Sequence, residues 1–331
     1  MQEFVSIVVP TRNCEKTIEK VVDSLLNLNY KKYEIIVVDS SIDGTKEVLK
    51  KYGSKIKVFH SPVLNRRTSN LQRNIGARKA RGQIILFTDG DCIVDKNWIS
   101  GILKGFSSKD VAIVGGSVLK WGDSAYLDYA ESGIRPLIRN YQKRIIIDLS
   151  NYHKSLYPIG GNFAIRKNIL KEAGWFDEDT PSFDEIELSW RVLLKGYKIV
   201  CIPNAIVRYC FVNNLSTFLK RYFKYGKGFG YFARKYPSSP VTKRKSFFIS
   251  IILLLLILHA FLIYKFLTTF NSSFGILLVA PTLVLFGIHL FRSVKYRKLS
   301  LIYHLFFDIL VAFMYMLGMI ISLIKYRRLK K

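Results

Sequence analysis

Short runs of Val and Ile, separated by amphipathic stretches, constrain the fold of the first 120 residues more than any other feature of this chain. Continuous apolar runs of this kind are typical of strands buried on both faces of a parallel sheet, and the stretches between them have helical spacing. We therefore predict an α/β fold with a mostly parallel sheet flanked by helices. The predicted strands are FVSIVVP, YEIIVVDS, KIKVFHS and QIILFTD, and the predicted helices are EKTIEKVVDSLLNL, GTKEVLKKY and SNLQRNIGARKARG.

Polar, turn-forming residues stand where three of these strands end, in the segments PTRN, VDSSIDGT and TDGD. Parallel sheets bind ligands at the carboxyl ends of their strands, so we expect these segments to line one cleft. A dinucleotide oxidoreductase would carry GxGxxG after its first strand, whereas this chain reads VVPTRNCEKT there. The pattern therefore argues against a dinucleotide-dependent oxidoreductase.

Asp89 and Asp91 stand one residue apart directly behind a predicted strand. Two like charges at one place repel each other and lose solvation, and a divalent cation would compensate both effects. The turn at Gly90 can bring them together as hard oxygen ligands for Mg²⁺ or Mn²⁺. Asp-Gly pairs are also common in plain β-turns, so these residues alone leave both interpretations open.

One further acidic residue and one cluster of acidic residues can each be interpreted either as part of a binding site or as purely structural. Asp39 closes the second strand, where it can accept hydrogen bonds from a base or a ribose or can serve only as a cap. Three acids, Asp184, Glu185 and Glu187, begin a predicted helix in FDEIELSWR. Acids in a first turn are also favoured by the helix dipole alone, so neither position identifies a site without its context.

From residue 247 onward apolar residues dominate, and Asp308 is the only acidic residue of the sequence there. Segments 247–267 and 274–291 are long enough to cross a bilayer as helices, and 301–324 is a third candidate. His304 and Asp308 in that third segment are easier to place near lipid headgroups than at mid-bilayer. We predict two spans and a third apolar segment that is spanning or re-entrant.

The net charge of +27 comes largely from the C-terminal part of the chain. Basic residues beside apolar segments fit anionic lipid headgroups better than a nucleic acid. The loop RSVKYRK and the tail KYRRLKK are both basic, while the connector TTFNSS is uncharged. The positive-inside rule then places the N-terminal domain, the loop and the tail in the cytoplasm, which agrees with two spans and conflicts with three complete ones.

Segment 217–237, TFLKRYFKYGKGFGYFARKYP, mixes aromatic with basic residues at helical spacing. This composition predicts a helix lying in a membrane interface. The same mix could contact nucleic acid, but its position directly before the apolar segments favours the membrane.

The cysteines show no CxxC pairing, and the N-terminal apolar run is too short for a signal peptide. A reducing, cytosol-facing location of the N-terminal domain is therefore expected.

Taken together and in order, these segments resemble the inverting family 2 glycosyltransferases of GT-A fold, over residues 3 to about 235. The family's first-strand, Asp-x-Ser-x-Asp-Gly-Thr and Asp-x-Asp motifs are matched here, as are its Gly-Gly-Asn and closing acidic motifs. The matching segments are SIVVPTRN, VVDSSIDGT, RNIGARKARGQIILFTDGD, GGNFAIRKNILKEAGWFDE and DEIELSWRVLLKGY.

The resemblance implies roles for individual residues. Asp91 would hold the metal, with Asp89 assisting, and Glu185 would deprotonate the acceptor hydroxyl while Asp184 and Glu187 raise its pKa. The implied donor-binding residues are Pro10, Thr11, Asn13, Asp39, Arg73 and Asp89, and those on the acceptor or diphosphate side are Gly160, Gly161, Asn162, Arg208 and Tyr209.

The chain also departs from the family pattern. Asp184 and Glu185 exchange the Glu and Asp of the family's acidic pair, which moves the base by about one methylene. Tyr209, with Arg208 beside it, stands where many members have a metal-binding or diphosphate-binding His, which predicts either a weaker metal affinity or an arginine that shares the diphosphate charge. The Gln-Arg-Trp motif of processive synthases is absent and only LKRY stands near its place, which predicts one sugar transferred per visit.

The resemblance thus implies a membrane-bound, metal-assisted inverting hexosyltransferase at the cytoplasmic face of the cell membrane. A UDP- or GDP-sugar would be the donor and a lipid-linked acceptor, such as a polyprenyl phosphate or a glycan carried on it, the acceptor, with no role for nucleic acid. The alternatives are a glycan-chain transferase with a non-lipid acceptor and a non-catalytic membrane scaffold of the same fold. The expected parts are a catalytic domain (1–215), an interfacial region (216–246) and a multi-pass membrane domain (247–331).

Overall fold

The computed structural model describes residues 3–62, 69–132, 138–152, 157–210, 214–269 and 304–326, together with 273, 283, 286–291, 293 and 294 between the last two ranges. The strands are β1 (Val5–Thr11), β2 (Tyr33–Asp39), β3 (Lys57–His60), β4 (Ile84–Phe87), β5 (Cys92–Val94), β6 (Val111–Lys120), β7 (Ile145–Ile147), β8 (Phe163–Arg166) and β9 (Lys198–Tyr209).

Helices surround the sheet and continue beyond it. They are α1 (Ile18–Leu26), α2 (Thr45–Lys50), α3 (Ser69–Lys79), α4 (Trp98–Gly105), α5 (Ala125–Ser132), α6 (Lys167–Glu172), α7 (Asp184–Leu194), α8 (Leu215–Lys235), α9 (Pro240–Thr269) and α10 (His304–Lys325). All four cysteines are free thiols.

The strands of the described residues form one mixed sheet in the order β3-β2-β1-β4-β8-β6-β9-β5, and β7 pairs with β9. Strands β3, β2, β1 and β4 are parallel, as predicted. The second half of the sheet is mixed rather than mostly parallel: β6 and β9 pair in parallel, whereas β8 runs antiparallel to β4 and β6, and β5 and β7 run antiparallel to β9. Strands β5, β7 and β8 have only three or four residues each, too few for the sequence pattern to indicate their direction.

The first strands are buried on both faces because helices cover both sides of the sheet. Every residue of β1 is buried, and its side chains alternate between two apolar layers. Val8 packs in the layer that contains Ala77 of α3, while Ile7 and Val9 pack in the layer that contains Ile18 of α1. This alternation fixes the register of β1 against β2, in which Thr11 lies beside Asp39 at the carboxyl edge.

The basic, aromatic segment predicted to lie in a membrane interface forms α8, which packs instead between the α/β unit and α10. The aromatic side chains of Phe218, Tyr222, Phe229 and Phe232 on this helix are all buried. Its apolar face is therefore covered by protein, and the sequence could not show this because the partner helix lies about 90 residues further along the chain.

The apolar C-terminal segments are described in part. The predicted span 247–267 lies within α9, which is a single helix of 30 residues. The predicted span 274–291 lies mostly outside the described residues. The third segment forms α10, and among the described helices this is the one that is long and apolar enough to cross a membrane. The expectation of several such helices is therefore not matched by the described part of the chain.

His304 and Asp308 of α10 lie against the α/β unit. The Tyr129 hydroxyl on α5 donates a hydrogen bond to Asp308, and the Tyr129 and His304 rings are 5.2 Å apart. Asp308 also lies 3.0 Å from the His289 ring nitrogen. The acid in this apolar helix thus contacts polar groups of the protein.

Candidate active site

The carboxyl ends of β1 and β2 form one wall of a cleft. Asp39 is 2% exposed and accepts hydrogen bonds from the hydroxyls of Thr11 (2.9 Å) and Ser41 (2.6 Å). Asn13 has φ of 55°. Its side-chain oxygen accepts a hydrogen bond from the Ile42 backbone amide, and its backbone amide donates to the Ser41 hydroxyl. Pro10 lines the cleft beside these groups. The structure thus brings together four residues that were predicted to contact the donor.

The segment TDGD forms the floor of the cleft. The carboxylate oxygens of Asp89 and Asp91 and the sulfur of Cys92 lie within 4.8 Å of one another. Burial, together with the charge of Asp89, raises the pKa of Asp91 to about 7. A Cβ on Gly90 would lie 2.8 Å from the Cys14 sulfur, so this turn accepts only glycine without displacing its neighbours.

This donor set fits a hard divalent cation. Burial and the two carboxylates hold the pKa of Cys92 well above its usual value, so the thiol stays protonated and donates to Asp91. Mg²⁺ and Mn²⁺ prefer oxygen ligands, and a cation here would relieve the repulsion between the carboxylates. Asp91 and Asp89 are therefore the groups that could hold it.

Arg73 of α3 lies among the acids of the cleft. Its buried guanidinium bridges Asp89 (3.1 Å), another residue predicted to bind the donor, and Asp184 (3.0 Å). Gln72, its neighbour on α3, binds the ends of β1 and β2 instead, through the carbonyls of Thr11 and Val38. Helix α3 turns these adjacent side chains to different parts of the cleft, and sequence spacing alone did not resolve which one points where.

Glu185 faces the cleft from the first turn of α7. Burial, followed by the charge of Asp184, raises the pKa of Glu185 to about 7. Burial also raises the pKa of Asp184, and Arg73 opposes that effect. Gly160 lies directly against this group, since a Cβ there would be 2.0 Å from the Glu185 carboxylate.

Glu187 does not join this cluster, and its predicted support of Glu185 is wrong. Its carboxylate is 1% exposed and pairs with Arg191 (2.6 Å) and Lys235 (3.0 Å), and the Tyr236 hydroxyl donates to it at 2.8 Å. Two residues along a helix are about 200° apart, so Glu187 points to the opposite side and ties α7 to α8.

Of the Gly-Gly-Asn motif, the glycines reach the cleft region and the asparagine does not. A Cβ on Gly161 would lie 2.9 Å from the Cys92 sulfur and 3.3 Å from Asp89. Asn162 is fully buried, and its amide donates to the carbonyls of Ser117 (2.7 Å) and Ala205 (2.9 Å). Asn162 therefore joins strands of the sheet, and its predicted place on the acceptor side is wrong.

On β9, Tyr209 lines the cleft, while Arg208 is exposed and does not line it. The arginine that faces the acids is Arg221 of α8, which donates to the Tyr209 hydroxyl and lies 5.2 Å above its ring. Its charge acts on Asp91 and lowers the pKa of that carboxyl, against the stronger effect of burial. Sequence reasoning missed this residue, although the segment LKRY that contains it stood near the place of a family motif.

Helix α8 closes the cleft, which has a volume of about 900 Å³. Lys224 lies one turn after Arg221 on the same wall, where burial lowers its pKa and the charge of Asp184 opposes that effect. Acids on the strand side thus face cations on the helix side, an arrangement suited to an anionic ligand that carries a metal.

Known proteins share this fold and these motifs. The family model for glycosyl transferase family 2 matches residues 6–174. Glycosyltransferase AglE of Haloferax volcanii is 26% identical over 230 residues, which cover 68% of this chain and 72% of that protein. Several other curated relatives are matched over about half of their length or less.

Two solved structures have the same fold. The mannosyltransferase PcManGT from Pyrobaculum calidifontis, in complex with GDP-Man and Mn²⁺, has a TM-score of 0.67 at 17% identity and covers 95% of this chain and 87% of its own. S. aureus TarS 1-349 in complex with UDP-GlcNAc has a TM-score of 0.50 at 18% identity, covering 68% of this chain and 66% of its own. The sheet, the cleft and the match to the family model over half of the chain establish a glycosyltransferase enzyme of GT-A-like fold. The chain belongs to glycosyl transferase family 2.

Proposed function

We propose that this enzyme transfers one sugar from a nucleoside diphosphate sugar to a lipid-linked acceptor, with inversion at the anomeric carbon. One observation carries the proposal: Glu185, with a pKa near 7, opens into the same cleft as the acids of TDGD. A base must be partly ionised near neutral pH to accept a proton, and a carboxylate of ordinary pKa would be a weaker one.

The donor's nucleoside would bind at the ends of β1 and β2, against Pro10, Thr11, Asn13 and Asp39. The fixed Asp39 carboxylate is a hydrogen-bond acceptor for a ribose hydroxyl or a base. The structural neighbours named with GDP-Man and UDP-GlcNAc support a nucleotide-sugar donor in general terms. UDP- and GDP-sugars are both candidates for this chain.

The diphosphate would lie over Asp89 and Asp91. A bound Mg²⁺ or Mn²⁺ would neutralise charge on the departing diphosphate. Asp91 is its direct ligand in this proposal, because the Asp89 carboxylate already forms an ion pair with the Arg73 guanidinium. Arg221 takes the place of the missing histidine and supplies positive charge from α8. The acceptor oxygen forms the new bond to the anomeric carbon as the bond to the diphosphate breaks, and its proton passes to Glu185.

The acceptor would enter between Gly160, Gly161 and the start of α9. Arg139, Lys220, Lys224 and Arg244 line the cleft, and Phe248 of α9 lines it beside exposed apolar side chains of the same helix. An acceptor with a phosphate next to a hydrocarbon chain, such as a polyprenyl phosphate, matches this sequence of charged and apolar surfaces. A soluble glycan would use the charged part alone.

The proposed organisation is a catalytic domain over 1–215, a connecting region over 216–246 that completes the cleft, and a membrane-associated region over 247–331. The basic tail and the catalytic domain are placed on the cytoplasmic side. Labelling a cysteine introduced at Lys330 in sealed, right-side-out vesicles tests this topology. Protection until the membrane is opened supports it, and labelling from outside contradicts it.

Activity is tested with the full-length protein, a panel of UDP- and GDP-sugars, Mn²⁺ or Mg²⁺, and polyprenyl phosphate, by measuring nucleotide release. We expect metal-dependent release that falls about 100-fold or more in Asp91→Ala and Glu185→Gln. Asp123→Asn, which changes an exposed acid, is the matched control. Transfer to soluble glycans but not to the lipid would contradict the acceptor class, and no turnover with any donor would contradict the proposal as a whole.

A further inference from the structure

Lys245, near the start of α9, lies among three aromatic rings. Its Nζ is 4.9 Å from the Phe183 ring centre, 5.5 Å from that of Phe229 and 5.6 Å from that of Tyr315. It also donates a hydrogen bond to the Tyr315 hydroxyl at 3.4 Å. We call these four residues the Lys245 cage.

The cage joins parts of the chain that are far apart in sequence. Phe183 directly precedes α7, Phe229 belongs to α8 and Tyr315 to α10. An ammonium group is attracted to the face of each ring, and the attraction grows where water is excluded. A single cation therefore holds three elements around the start of α9.

Phe183 is the residue of the Lys245 cage that lies next to the proposed general base, Glu185. It has φ of 75°, a left-handed conformation that costs energy for a residue other than glycine and persists only where the surroundings enforce it. Asp184 and Glu185 follow it directly. Any relaxation of Phe183 would rotate the first turn of α7 and with it the Glu185 carboxylate.

The other side of this segment is held by α8. A Cβ on Gly228 would lie 2.6 Å from the carbonyl oxygen of Ser182, so the helix backbone rests directly on the residue before Phe183. With Gly228 on one side and the cage on the other, the segment before α7 has little freedom. Gly160 leaves Glu185 equally little room, as described above.

We infer that Lys245 is a positioning residue for Glu185: the cage fixes Phe183 and thereby the direction from which Glu185 meets the acceptor. The inference rests on the proposed role of Glu185 as the general base. Because a base misplaced by about 1 Å can lose about 100-fold in rate, loss of the cage would lower kcat while the donor end of the cleft stays intact.

The test compares Lys245→Met, which keeps the apolar stem, with Lys245→Arg, which keeps a cation over the rings. Both are measured in the full-length protein, with kcat expressed per nucleotide-binding site so that unfolded protein does not count. We expect kcat to fall about 10-fold to 100-fold in Lys245→Met and to be largely retained in Lys245→Arg, with the Kd for UDP or GDP unchanged in both. Lys243→Met, an exposed lysine on the same helix, is the control and should match the wild type.

Three results would overturn the inference. These are an unchanged kcat per site in Lys245→Met, an equal loss in Lys245→Arg, or a rise in acceptor KM without a change in kcat, which would make Lys245 an acceptor-binding group. If Lys245→Met does not fold, Tyr315→Leu removes one ring of the cage and should lower kcat in the same way. An inactive wild type would refute the proposed function, whereas an active wild type with an unaffected Lys245→Met refutes the positioning role alone.

Discussion

Glu185 is half-buried in the cleft, and its pKa of about 7 makes the rate sensitive to pH. A general base acts when ionised, and a raised pKa means that its ionised fraction falls as pH drops below that value. With saturating Mn²⁺ we expect kcat/KM to fall about tenfold per pH unit below about pH 7 and to level off above it. A profile measured from pH 5 to 9 checks this, and a flat rate between pH 5.5 and 8 would contradict it.

Asp91 has a similar pKa, so its protonation has to be separated from that of Glu185. Protons compete with the cation for Asp91. If the fall in kcat/KM at low pH were due to Asp91, a tenfold increase in Mn²⁺ concentration would move that fall to lower pH. A fall due to Glu185 should occur at the same pH at both Mn²⁺ concentrations.

Gly160 offers a second residue-level prediction. A methyl group there would lie 2.0 Å from the Glu185 carboxylate and 2.9 Å from the Arg73 guanidinium. Because a flexible side-chain end can move aside, Gly160→Ala should fold normally but lose about 10-fold to 100-fold in kcat. Gly287→Ala is the control, since a methyl there meets no atom of the described residues within 4 Å. Equal activity of the two variants in the nucleotide-release assay would contradict the prediction.

At this scale the sequence predicted which acids stand at strand ends and helix starts, but not where every side chain points. Asp89, Asp91 and Glu185 line one cleft, and Asp39 directly precedes Ser40, which also lines it, because strand ends and a helix start have fixed positions in such a fold. The direction predicted for Glu187 was wrong because it is decided by Lys235 and Tyr236, which are distant in the chain.

At the scale of elements, α8 and α10 cross at unusually close range. A Cβ on Gly226 would lie 1.9 Å from the Tyr315 carbonyl oxygen, and one on Gly318 would lie 2.1 Å from that of Phe223. Small residues at such crossings let helix backbones touch, which is how helices pack where water does not drive their association. Neither backbone can move aside locally to make room for an added methyl group, so the two helices themselves would have to separate.

Gly226→Ala should therefore destabilise the protein by about 1–3 kcal/mol, the usual cost of overpacking. The same helix carries Arg221 and Lys224 over the cleft, so activity should fall as well. Thermal unfolding followed by circular dichroism measures the first effect, with Arg234→Ala on the exposed side of α8 as the control. An unchanged midpoint in Gly226→Ala would show that the crossing is looser than these distances imply.

The elements themselves were predictable where the local pattern is strong. Strands β1 to β4 follow from their Val and Ile runs, with ends correct to within a few residues. The antiparallel strands β5, β7 and β8 have three or four residues each, too few for periodicity to identify. Helix α8 was recognised as a helix, but its basic, aromatic face was assigned to lipid because nothing local shows that α10 and the cleft cover it.

At the scale of the whole molecule, most exposed large apolar side chains of the described residues lie on α9, on α10 and in the segment between them. Soluble monomers rarely expose contiguous apolar surface of this extent. On α10 the exposed set is Phe306, Ile309, Phe313, Leu317, Ile320, Ile321 and Ile324, while the opposite face packs on α8. One side of this helix thus fixes it to the catalytic unit, and the other side is exposed and apolar.

Phe313 is 65% exposed and lies near the middle of α10, which makes it the most direct probe of that apolar face. An arginine at the centre of a membrane helix costs about 2.5–3.5 kcal/mol of insertion free energy. If the face is in lipid, Phe313→Arg should shift a large fraction of the protein from the carbonate-resistant membrane pellet to the extractable fraction, while Phe313→Leu should behave as wild type. Because the side chain points away from α8, the loss should not come from a disrupted helix crossing, and nucleotide binding by the extracted variant checks that the cleft is intact. Equal carbonate resistance of the arginine variant and the wild type would mean that protein, such as a second copy of the chain, covers this face.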